Sequence, residues 1–130
     1  MKSLIQHSAV AGLFAALTFG AQAAQVSGVL VDKNCSGKME LRIVSPSNSM
    51  VGGYVSAQAH DKDCLMMSEC QKNGYGVYTQ DNKYLTFDDA GNKQAVALLK
   101  GAAGKLVNFE VEVTGDVQGD TIKVKTIRLR

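Results

Sequence analysis

Four absences bound what this chain can be. It has no surplus of charge: 14 Lys and Arg stand against 12 Asp and Glu, a formal +2. That balance gives no reason to expect nucleic acid or an anionic membrane as a partner. No second long apolar run follows Phe19, so stable membrane insertion of the remaining chain is not expected. No Cys-x-x-Cys pair occurs, which removes the commonest dithiol redox motif. Proline occurs only once, at Pro46, inside the loop-like stretch 45–53.

The N-terminus carries the clearest signal. Met1 and Lys2 form a short basic start, residues 9–19 are an apolar run, and Ala21-Gln22-Ala23 supplies the small residues of a cleavage site. A spanning helix needs about 20 apolar residues, and this run is shorter. The pattern predicts a signal peptide over 1–23, a single domain over 24–130, and a periplasmic or secreted location. No cysteine stands at the cut, which argues against lipid attachment. Export matters chemically, because Cys35, Cys64 and Cys70 then face an oxidising compartment. Two of them should pair there and one should be left over.

Along the domain, residues 25–32 are rich in β-branched side chains and read as a first strand. Residues 39–43 alternate apolar and charged, suggesting a short strand. Residues 61–73 read as one helix, with Asp61 as N-cap and Gly74 as its stop. Strands over 75–80 and 83–87 flank a turn at Asp81 and Asn82. A second helix is expected over 93–100, with Asn92 as cap. Val107, Phe109, Val111 and Val113 alternate with polar residues as a half-buried strand. Ile122 and Val124, then Ile127 and Leu129, continue the inward face only if one residue bulges near Lys125 or Thr126. Five strands with a helix between the third and fourth, and a helix-containing excursion after the first, is the order of an OB-fold barrel. The fold class is therefore mainly β.

Chemistry concentrates in Cys35 and in His60-x3-Cys64-x5-Cys70. Six residues along a continuous helix advance about 9 Å and turn about 240°, so Cys64 and Cys70 would face apart. A disulfide needs Cα atoms within about 7 Å, which leaves Cys35 as the shared partner. Cys35–Cys70 is the favoured bridge and Cys35–Cys64 the runner-up, either contributing about 3–4 kcal/mol through the closed loop. His60, Cys64 and Met67 share one face if the helix starts early enough to take in His60. Imidazole, thiolate and thioether together suit copper(I) first and zinc second, with Cys35 and Cys70 as further ligands when reduced. A Cys64–His60 catalytic pair lacks an evident third group to orient the histidine.

Two other features have structural explanations. Lys123, Lys125, Arg128 and Arg130 make a basic stripe, but Glu110 and Glu112 on the preceding strand can oppose Lys123 and Lys125. Tyr75, Tyr78, Tyr84 and Phe87 gather on the central hairpin, where barrel packing is their usual use. The expectation is an exported binding or structural module for an unidentified small ligand or protein, braced by one disulfide, with no cofactor and no catalysis. The alternatives are a copper- or zinc-binding protein and a thiol-dependent redox protein.

Taken together, Gly28-Val29-Leu30-Val31-Asp32-x2-Cys35, His60-x3-Cys64-x-Met66-x3-Cys70 and Gly74-Tyr75-Gly76-Val77 form a pattern. Phe87-Asp88-x2-Gly91-Asn92 and Val113-x-Gly115-x3-Gly119-Asp120-x-Ile122 extend it. The pattern resembles a group of small exported bacterial proteins of uncharacterised function. The resemblance implies an OB-like barrel behind a signal peptide and carries no activity with it.

Overall fold

The computed structural model describes residues 23–37, 42–44, 49–51 and 53–130. Residues 1–22 of the expected signal peptide lie outside the described residues, as does most of the stretch 38–48. Among the described residues, seven strands and five helices follow in order. They are β1 (Ala24–Asp32), α1 (Lys33–Ser36), β2 (Arg42–Val44), β3 (Ser49–Val51), α2 (Gly53–Gln58), α3 (Lys62–Leu65), α4 (Ser68–Asn73), β4 (Tyr75–Thr79), β5 (Tyr84–Phe87), α5 (Asp89–Gly101), β6 (Glu110–Gln118) and β7 (Thr121–Leu129).

Five strands close a barrel in the order β1-β4-β5-β7-β6, with β6 returning to β1. All neighbours are antiparallel except β5 and β7, which run parallel. The mainly β, OB-like barrel read from the sequence is the fold observed, with α5 between its third and fourth strands. Closure leaves no unpaired sheet edge in the barrel. Inside it, Leu30, Tyr75, Val77, Phe87, Phe109, Val111, Val113, Ile122 and Val124 pack together, with Leu65, Ala95 and Leu99 from the helices completing the core.

β1 is buried on both faces over Gly28–Asp32, which accounts for its unbroken apolar run. Leu30 points into the barrel, while Val29 and Val31 pack with Tyr78 and with Ala57 of α2. At Gly28 the backbone of β4 leaves no room for a side chain: a Cβ there would stand 2.3 Å from the Tyr78 carbonyl oxygen. Gly28→Ala is therefore expected to cost about 1–3 kcal/mol or more through overpacking against backbone, read as a lower urea midpoint.

Several expectations need correction. Of the strand expected over 39–43, residues 39–41 lie outside the described residues and Arg42 and Ile43 are strand, which runs on to Val44; it pairs antiparallel with Ser49–Val51, inside the stretch read as loop. The helix expected over 61–73 is two helices, α3 and α4, broken at Met66 and Met67. α5 begins at Asp89 rather than Lys93, because Asp88 accepts from the Gly91 N–H. Asn92 instead accepts from the Tyr75 N–H at 2.8 Å, tying the helix to β4. The bulge is where it was expected: Thr114 pairs with Thr126 and Gly115 with Val124, leaving Lys125 as the extra residue. That register sets Glu112 opposite Arg128 and Asp116 opposite Lys123, so Glu112 does meet the basic stripe, but at Arg128, while Lys125 pairs with Asp116. Val107 is 48% exposed and does not extend the inward face. Among the described residues no helix is long and apolar enough to cross a membrane.

Candidate metal centre

The site is built at the end of β1. Asp32, Lys33, Asn34 and Cys35 form a turn in which the Asp32 carboxylate caps α1 by accepting from the Cys35 N–H at 3.0 Å. Asp61, Lys62, Asp63 and Cys64 repeat it: Asp61 accepts from the Cys64 N–H at 2.7 Å and caps α3. Both segments spell Asp-Lys-x-Cys, and side-chain capping is the local reason each turns where it does. The second turn is fixed by Lys62, whose N–H donates to the Leu106 carbonyl at 2.7 Å and whose ammonium donates to the Ala102 carbonyl at 3.0 Å. Leu65 anchors it from below, its carbonyl accepting from the buried Tyr75 hydroxyl at 2.6 Å.

Two turns of the same design bring two thiols together. The Cys35 and Cys64 sulfurs and a ring nitrogen of His60 all lie within 4.8 Å of one another, and all three residues are half-buried. The path to His60 runs through α2, since its N–H donates to the Ala57 carbonyl at 3.1 Å just after that helix ends.

Asp32 organises the site from beneath. Its side chain is fully buried and is the only buried charged residue among those described. Oδ1 lies 2.8 Å from His60 Nε2, Oδ2 accepts from the Cys35 N–H, and the Cys70 thiol donates to the same carboxylate. Burial alone would raise its pKa, yet these hydrogen bonds, that of His60 first, outweigh it and hold Asp32 below its ordinary value. An ionised carboxylate only accepts, so His60 Nε2 carries the hydrogen of this bond, and in the neutral ring Nδ1 is the nitrogen left to bind a metal. A carboxylate fixing the tautomer of a ligating histidine is the usual outer support of a metal site.

Cys70 has a different character. It is 5% exposed, and burial first, then the Asp32 charge, pushes its thiol up to about 12. Burial likewise pushes Tyr75 up to about 12 and raises Tyr84, whose hydroxyl donates to the Val31 carbonyl at 3.1 Å. Asp32 is thus ringed by groups held in their protonated forms.

Each residue expected at the site now has a position. Cys35, His60 and Cys64 come together. Cys70 lies outside that triple and contacts it through Asp32. Met67 is 55% exposed at the break between α3 and α4, so the shared helical face argued for it does not exist. The three cysteines form no disulfide in this structure. The exclusion of a Cys64–Cys70 bridge, which left Cys35 as the shared partner, rested on one continuous helix, and the break at Met66 and Met67 removes that premise. Asp32 went unrecognised as a site residue, although its repeated Asp-Lys-x-Cys context was visible in the sequence. A separate apolar groove of about 490 Å³ between α5 and β7, with Leu98, Ile127 and Leu129 in its lining, shares no residue with this cluster. Comparisons with protein-family models, with curated proteins and with solved structures found no match for the chain.

Proposed function

We propose that this chain is an exported metal-binding protein whose barrel presents Cys35, His60 and Cys64 to a thiophilic d10 ion, copper(I) or zinc(II). The carrying observation is the convergence of two thiols and an imidazole within 4.8 Å. The support of His60 by a buried carboxylate strengthens it. Two thiolates and one imidazole satisfy copper(I) as a three-coordinate set. For zinc(II) the same donors leave a fourth, open position. The signal-peptide pattern over residues 1–23 supports export. Met67 and Cys70 are not part of the proposed ligand set.

The test is metal analysis of protein recovered from the periplasm under reducing conditions, followed by titration with each ion alone. One equivalent of copper or zinc is expected. His60→Ala should weaken binding by more than the roughly 10–100-fold typical of losing an outer-shell partner. A chain that takes up neither ion would leave a small binding or structural barrel in place of a metal protein.

A further inference from the structure

We propose that Cys35 and Cys64 are also a redox pair, closed into a disulfide by a small-molecule disulfide, and that this bond and the metal exclude one another. The pairing stands on geometry: the two sulfurs lie within 4.8 Å on separate short turns, and both residues are only half-buried. Each turn is one four-residue helix held at its start by an Asp cap, so closing the remaining distance displaces a turn and not a barrel strand. Cys70, the third thiol, is sheltered from the same reagent by burial and donates to Asp32. An odd number of cysteines thus divides into one accessible pair and one structural thiol.

The chemistry balances with a glutathione-type disulfide as oxidant. One cysteine gives up its proton and attacks a sulfur of that disulfide. The disulfide bond breaks, and the first thiol is released carrying the proton. The second cysteine then attacks the mixed disulfide, forming the Cys35–Cys64 bond and expelling the second thiol with the second proton. Two electrons pass from the protein to the small disulfide, and two small thiols leave. Once joined, neither protein sulfur is an anionic ligand, so two of the three metal donors are lost. The exclusion half of this proposal rests on the metal-binding reading, whereas the bridge itself does not.

The experiment equilibrates the metal-free, reduced protein with oxidised glutathione and maps the products by mass spectrometry. Trypsin leaves Cys64 and Cys70 in one peptide, so cleavage after Met66 or Met67 is needed to separate them. The expected product has lost two hydrogens, links Cys35 to Cys64, and leaves Cys70 reactive only after unfolding. A bridge through Cys70, a persistent glutathione adduct, or no oxidation would overturn the pairing. Zinc(II) is then titrated into both forms. The oxidised form should bind at least about 100-fold more weakly, more than loss of an outer-shell partner alone. Equal binding by both forms would overturn the exclusion. Absence of binding by either form would overturn the exclusion together with the metal reading, leaving the bridge as the site's chemistry.

Discussion

Asp32→Ala is expected to destabilise the metal-free protein by about 3–5 kcal/mol, the range for breaking a buried charged network. The residue is fully buried, and its carboxylate accepts from the Cys35 N–H at 3.0 Å, from His60 Nε2 at 2.8 Å and from the Cys70 thiol. Alanine leaves three donors without their acceptor, that of Cys70 buried, and adds a small void. Asp32→Asn nearly preserves the volume but turns one acceptor into a donor facing another donor, so about 1–3 kcal/mol is expected from it. Acid sensitivity separates charge from packing. Because the folded pKa of Asp32 lies below its ordinary 3.8, the carboxylate contributes stability above that pH and loses it as pH falls through the folded value. Urea midpoints should therefore drop below about pH 3.8 more steeply for the natural chain than for Asp32→Asn. Asp81 is also held low, by Thr79 and Lys83, but that pair is solvent-exposed and screened, so it adds little to the slope. Equal stability and equal acid slopes in the two proteins would remove Asp32 as the organiser of the site.

The barrel was legible in the sequence because its signals are periodic and local. Phe109, Val111 and Val113 alternate with polar neighbours, and Ile122 and Val124 do the same until the face changes at Lys125. A strand whose buried face switches parity must bulge, and it does. The register was harder. Which acid faces which base depends on where the hairpin turns, and a turn at Gly119 (φ 62) and Asp120 sets Glu112 against Arg128. The stretch 33–60 resisted because its elements are three to six residues long, too short for a hydrophobic period to show.

The site was half legible for a related reason. Cys35, His60 and Cys64 could be named from residue type alone. Asp32 could not, because at the end of an apolar strand an aspartate reads as the start of a turn. Its burial comes from tertiary packing, since α1, α2 and α4 all lie against β1. The continuous helix over 61–73 was the consequential misreading. It placed Met67 beside Cys64 and set Cys64 and Cys70 facing apart, which left Cys35 as the partner of either. The structure ends α3 after Leu65, where the Met66 N–H donates to the Lys62 carbonyl, and restarts at Ser68. Capping by Asp61 favours a short turn as readily as a long helix, and propensity does not distinguish them.

The second large effect distinguishes the cysteines from one another. Cys64→Ser should weaken zinc(II) or copper(I) binding by at least about 100-fold, since it removes a ligand itself rather than its outer support. It should change the stability of the metal-free protein by less than about 1 kcal/mol, because the side chain is half-buried and the Asp61 cap accepts from the backbone N–H, which serine retains. Cys70→Ala should do the reverse. Its thiol is buried against the barrel and donates to Asp32, so its loss should cost about 1–3 kcal/mol through a void and a missing donor. Metal affinity should stay within about 10-fold, the mild end of outer-shell effects, because His60 and the Cys35 N–H still hold the carboxylate in place. Chelator competition under reducing conditions reads the first quantity, and urea unfolding of the metal-free protein reads the second. If Cys70→Ala abolished binding while Cys64→Ser spared it, the ligand set would have to be rebuilt around Cys70. The opposed pattern would make Cys64 the residue that meets the ligand and Cys70 part of the scaffold beneath it.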